Sequence, residues 1–337
     1  MGIYRRADDP GLGANISTAA PQASQAPQAA VHSRRTALVL LALVALVWGT
    51  HWAVVKIGLQ TMPPLTYATL RVLGGLITVV VLQTARGKLR LPPRSDLPVV
   101  FSWGLVQVAG GVLIMNLALN AVAAGRASVL VYTMPLWVAL ILAVWLRTRP
   151  KRGEFIGLAL GLCGLALLLN PAVIDWGRAA VVLGVVALLG NAAWWGAVTI
   201  HVRRHHWTAT PLDLQPWQLL VALVPVALIA FLVEGFQGIN WQPSTVLVLL
   251  YSGPLATAFA MWASQSVTRA LGAQGSAIGF VAVPVVGLVA GNLLLGEALG
   301  PIDGLGFLLV LGGVAITSLL PDGRQPRRRV APTAARG

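Results

Sequence analysis

From Thr36 onward the chain is an almost unbroken series of apolar runs, and that series leaves it few folds. Ten runs can be marked, at 36–58, 65–85, 97–118, 124–146, 153–170, 179–201, 216–234, 243–266, 273–296 and 302–320. Each is close to the roughly 20 residues a helix needs to span a bilayer. The loops between them are short and punctuated by proline, as at Pro63-Pro64, Pro92-Pro93, Pro150 and Pro211, so none has room for a soluble catalytic domain. Charged residues make up 10% of the 337, against about 25% in soluble domains. Lipid must therefore solvate most of the chain, which is expected to be an all-α integral membrane protein.

One stretch occurs twice. Ala124–Leu167 and Ala273–Ile316 overlay without a gap, matching Pro135 with Pro284, Leu146 with Leu295, Gly157 with Gly306 and Gly164 with Gly313. Trp48-Gly49 in the first run likewise answers Trp195-Gly196 in the sixth. The chain thus reads as two five-helix repeats, 36–170 and 179–320. They lie between an Ala/Pro/Gln/Ser-rich tail, 1–35, expected to be disordered, and a basic tail, 321–337.

An odd number of spans per repeat makes the two units inverted in the membrane, and the charges agree. With the N-terminus in the cytoplasm, 20 of the 24 Lys and Arg fall in the tails and the loops after even-numbered helices. Only Lys56, Arg126 and Arg178 fall opposite, and Arg71 lies inside helix 2. Under the positive-inside rule both termini are cytoplasmic and the protein is multi-pass in the cell membrane. A repeat in inverted topology is the sequence signature of a secondary transporter.

The stretches WGTHWAVVKIGL in helix 1, PLTYATLR entering helix 2, ASVLVYTMPLWVALI in helix 4 and VAVPVVGLVAGNLLLGEALGPIDGLGFLLVLGGVAI near the C-terminus carry a resemblance. Together they resemble a tandem EamA-type transporter of the drug/metabolite transporter superfamily. The resemblance implies export of small metabolites, with a cavity between the two units. Direction rests on the resemblance alone. One departure is visible: the second unit keeps Gly296-Glu297 after its proline helix, whereas the first has Arg147-Thr148.

The embedded residues suggest where a solute could bind. Trp48, His51 and Trp52 recur at spacings of three and four and so share a face of helix 1, and Asn191, Trp194 and Trp195 repeat the pattern in helix 6. Aromatic walls with amides between them suit a flat or amphipathic solute. Tyr132 and Gln265 are further lining candidates, with Gln107, Asn116, Asn120 and Asn292 as embedded polar groups that can equally serve as packing glue. Pro135 and Pro284 each remove a backbone donor mid-helix and are candidate hinges. Arg71 can meet an anionic group or snorkel to the interface. Lys56 and Glu297 are a candidate outer gate pair. Because no acid lies deep in a span, His51 is the candidate for a coupling proton.

Other classes fit less well. The basic residues form no single footprint for nucleic acid. There is no phosphate loop, and Cys163 stands alone, without a metal or disulfide partner. No cofactor is expected. A lipid-modifying enzyme would have only His201, His205, His206 and Asp213 to work with, and a carrier of nucleotide sugars or phosphorylated metabolites would call for more embedded Lys or Arg than Arg71. The expected partners are a small solute, membrane lipid and protons, for a monomer or homodimer. Reporters fused to the two termini should both read cytoplasmic; an extracytoplasmic signal from either would overturn the ten-span count.

Overall fold

The computed structural model describes residues 34–144, 152–170, 175–205, 207–267, 270 and 280–319, with backbone only at 34, 142, 154, 203, 204 and 317–319. The tails, the basic turn through Arg147 and Arg149, His206 and residues 273–279 of the second repeat lie outside them. Every regular element among the described residues is helical. Seven helices are long and apolar enough to cross a membrane, and three shorter apolar ones accompany them.

In order these are α1 (Arg34–Gly58) and α2 (Pro64–Ala85), then α3 (Leu97–Phe101) and α4 (Gly111–Leu119), which a π-helical segment, Ser102–Gly110, joins into one rod. Next come α5 (Ala124–Val131), α6 (Met134–Val144), α7 (Arg152–Leu168), α8 (Ala179–Arg204) and α9 (Pro211–Glu234). A second rod follows: α10 (Pro243–Leu250), a π-helical segment Tyr251–Phe259, and α11 (260–267). Finally α12 (Ala282–Leu295) and α13 (Pro301–Leu319) close the chain.

Two boundaries depart from the sequence expectation. α9 begins at Pro211, five residues before the expected start, because Thr210 and Asp213 form a reciprocal capping box and Pro211 occupies the first turn, where its missing N–H costs nothing. The fourth run is not one kinked helix: it breaks at Tyr132–Thr133. Pro135 therefore sits in the first turn of α6, and Pro284 in the first turn of α12, not mid-helix. The Thr133 hydroxyl donates to the Leu130 carbonyl at 2.6 Å, supplying a bond at the break.

Packing brings helices from the two halves together. α1 lies on α12 and along the second rod, while α8 lies on α5, α6 and the first rod; α2 packs on α9 and the second π segment, and α9 on the first. α7 and α13 form a pair with backbone in near contact. Outward positions are apolar, as at Leu183, Leu232, Leu293 and Leu308. Since lipid is as apolar as those side chains, association must come from close packing and hydrogen bonds.

Glycine supplies the closeness at α7–α13. A Cβ on Gly313 would stand 2.5 Å from both the Gly157 carbonyl oxygen and the Gly161 nitrogen. Gly313→Val should therefore cost about 1–3 kcal/mol by overpacking. Thermal unfolding of the detergent-solubilised protein checks this, and an unchanged midpoint would contradict the crossing described here.

Candidate functional site

Where the two halves meet, the bundle lines a half-open cavity of about 120 Å³. A single water needs about 10–15 Å³ on the same measure, so there is room for a small solute. Helix α1 contributes Trp48, His51 and Trp52; α2 contributes Arg71; Tyr132 stands at the break after α5; and α8 contributes Asn191 and Trp195. The first rod adds Trp103, Gln107, Gly111 and Met115, and the second adds Ala256, Thr257 and Met261.

The π segments explain how the rods reach the site. Trp103, Gln107, Gly111 and Met115 recur every four residues. In a regular α-helix each such step drifts by about 40°, which would carry the last of the four well away from the first. The wider π turns counter this drift and keep all four toward the cavity. On the other side, the second π segment crosses α2 at Gly253, where a Cβ would come within 3.0 Å of Gly74 Cα. That close crossing brings Thr257 to Arg71.

Arg71 is only 9% exposed and does not snorkel. Its Nε donates to Thr257 Oγ1 at 3.0 Å, and Nη1 to Met115 Sδ at 3.6 Å. The Thr257 hydroxyl is itself held, donating to the Ser252 carbonyl at 2.7 Å, and the Tyr67 hydroxyl bonds that of Ser252. Trp48 donates Nε1–H to the Ala256 carbonyl at 2.9 Å, which fixes its ring. His51 lies nearly parallel to Tyr251, with ring centres 6.2 Å apart, and its buried Nε2 has no protein partner. Gln107 Oε1 and Trp103 Nε1 are likewise buried without partners. Tyr132 and Trp195 approach each other at 6.3 Å.

Not every candidate reaches the cavity. Trp194 is 59% exposed and faces outward, because Asn191 and Trp195, four apart, define the inner face and Trp194 is turned about 100° from its neighbour. Gln265 lies beyond the lining, its Nε2 buried and unpartnered. Pro135 and Pro284 are absent from the walls. Trp103, Met115 and Thr257 were not singled out from the sequence, because their inward placement depends on the π turns and on the glycine crossing.

Lys56 and Glu297 meet at the end of the bundle where α1 stops and α5 starts. Lys56 Nζ is 3.0 Å from Glu297 Oε1. The same carboxylate accepts from the backbone N–H of Ala124 at 2.7 Å and of Gly125 at 3.0 Å, so it caps α5. One side chain thus ties α1, α5 and the end of α12. Beside it, Arg126 and Asp303 pair at 2.9 Å. At the opposite end, His205 Nε2 contacts Asp96 Oδ1 at 2.9 Å, and Asp96 also accepts from Thr208 and Ala209 N–H. Among the described residues no cluster of three His, Cys, Asp or Glu could hold a metal ion.

Profile comparison matches residues 35–170 and 182–319 to the EamA-like transporter family. The chain belongs to the EamA-like transporter family. Its EamA relatives include the uncharacterized transporter YoaV of Bacillus subtilis (strain 168), 27% identical over 80% of this chain and 92% of that one. The probable amino-acid metabolite efflux pump of Salmonella typhimurium (strain LT2) is 28% identical over 84% of this chain and 95% of its own. A solved crystal structure, 22% identical, aligns with a TM-score of 0.60 over 85% of this chain and 98% of that chain; at that identity it speaks for the fold alone.

The Glu297 clasp gives a pH prediction. Burial alone would raise the Glu297 carboxyl, but the N–H groups of Gly125 and Ala124 and the Lys56 ammonium outweigh it and hold the carboxyl below the ordinary value of 4.5. A depressed folded value means the stabilisation is complete above about pH 4.5 and lost as pH falls through the folded value. Glu297→Gln should cost about 1 kcal/mol at neutral pH, the sites being partly exposed. Its thermal midpoint should converge with the wild type only in strong acid; a gap that widens as pH falls would contradict the clasp.

Proposed function

We propose that this EamA protein is a secondary transporter that exports small metabolites, amino acids or related amphipathic solutes, across the cell membrane by alternating access. Ten spans form two inverted five-helix repeats with both termini in the cytoplasm. The observation that carries this reading is the cavity itself. It lies between the halves, and each half supplies wall: Trp48, His51 and Tyr132 from the first, Asn191, Trp195 and Thr257 from the second.

The reciprocal packing supports the inverted repeat. α1 rests on α12 as α8 rests on α5 and α6, and each π segment packs on α2 or α9. The two π segments, Ser102–Gly110 and Tyr251–Phe259, are separated by the same interval as Pro135 and Pro284. Export of amino-acid-like solutes is supported by the probable amino-acid metabolite efflux pump of Salmonella typhimurium among the relatives.

In this reading the Lys56–Glu297 clasp closes the extracytoplasmic end, and the contact of His205 and Asp96 spans the cytoplasmic end. The break preceding Pro135 and the start of α12 just before Pro284 act as flexing points, and His51, in the cavity wall with an unpartnered nitrogen, carries the coupling proton. Efflux of labelled amino acids and organic acids from proteoliposomes, with and without a pH gradient, tests the proposal. Saturable, gradient-responsive efflux is expected, and His51→Asn should flatten its pH dependence. No efflux of any solute would overturn the transporter reading; an unchanged pH profile in the variant would remove His51 from coupling.

A further inference from the structure

Among the described residues the cavity wall holds one fixed charge, Arg71, and no acid to oppose it. Arg71 is ionised at any physiological pH, yet its protein acceptors are a hydroxyl and a thioether, both neutral. The acids whose side chains are described stand at helix ends or in loops: Asp96, Asp175, Asp213, Glu234, Glu297 and Asp303. None of them lines the cavity. A buried guanidinium without a counterion is costly, and an anion arriving beside it would relieve that cost.

The neighbouring polar atoms point the same way. The Trp103 indole can only donate, and its buried N–H has no acceptor in the protein. His51 Nε2 is also unpartnered. Thr257, which could have served as a free hydroxyl, is already committed to orienting Arg71. The unpartnered Gln107 Oε1 is an acceptor but a neutral one, and among the described residues no negative group in the wall awaits a cation. The remaining walls, Trp48, Trp52 and Trp195, are broad apolar faces for a ring or branched body.

We propose that the cavity is built for a monocarboxylate with an apolar or aromatic body and no α-ammonium group, its carboxylate seated on Arg71. An α-ammonium, only a bond or two from the carboxylate, would be carried toward the guanidinium with no acid to receive it. This rests on the cavity being the transport site, and within the class of amphipathic solutes it favours the deaminated acid over the amino acid.

The test uses three probes of one shape: 3-phenylpropionate, its neutral amide 3-phenylpropanamide, and L-phenylalanine, which adds the ammonium. Tryptophan quenching of the purified full chain in detergent reads binding, since four tryptophans line the cavity. The acid should bind about ten- to a hundredfold more tightly than the amide, the range for a charge-assisted hydrogen bond. It should exceed phenylalanine by about tenfold or more, from like-charge repulsion. Arg71→Gln should bring the acid down to the level of the amide and leave the amide unchanged, with Arg71→Lys between.

Equal binding of acid and amide by the wild type would overturn the proposal without recourse to any variant. So would phenylalanine binding most tightly, which would mean that the tryptophan faces hold the ammonium, or a loss of acid and amide alike in Arg71→Gln. Proteoliposome efflux separates this from the transporter reading. Preferential efflux of phenylalanine would sink the monocarboxylate site and keep the transporter; acid binding with no efflux of any probe would do the reverse.

Discussion

A polar group carried into an apolar bundle is costly unless it finds a partner there, and here the helix ends meet much of that demand. The first N–H groups of a helix have no intrahelical acceptor, and lipid offers none. Carboxylates from other helices fill the gap. Glu234, at the end of α9, accepts from Leu65 N–H at 2.9 Å and Thr66 N–H at 2.6 Å, capping α2. Glu297 does the same for α5 and Asp96 for the turn before α9. Each such bond also staples two helices that have no hydrophobic reason to associate. Three of the six acids whose side chains are described make these joints, and none of the six lines the cavity.

The architecture was legible because its signals are long-range and redundant. Apolar run length gave the all-helical membrane class, though not each helix's bounds, charge asymmetry gave the expected orientation, and Pro135 with Pro284 exposed the duplication that the two EamA matches show. Local chemistry was legible only where the helix is regular. Trp48, His51 and Trp52 share one face because α1 runs unbroken through them. Trp194 was misplaced by the same reasoning, since spacings of three and four both describe a face of finite width and only the packing of α8 on the first rod decides which edge points inward. Trp103 and Thr257 were beyond reach, because nothing in SWGLVQVAG or YSGPLATAF announces the wider turn that aims them.

The duplication is structural more than chemical. Trp48 and Trp195 answer each other across the cavity walls, but the position answering Arg71 at that same interval is Gln218, fully buried and with both amide atoms unpartnered. His51 is answered by Val198. Two halves of like shape therefore line a cavity whose charge and titratable group belong to one side. The partnerless amide of Gln218 sits outside the cavity wall.

The π segments have a mechanical consequence. A π turn carries one residue more than the α turn it replaces, and if that residue is released the rod beyond it rotates by about 100°. Trp103 and Gln107 ride on one such segment, and Ala256 and Thr257 on the other. A wall mounted this way has the geometry of a cam: a shift in register of a single residue would swap which side chains face the cavity without moving the helix axis.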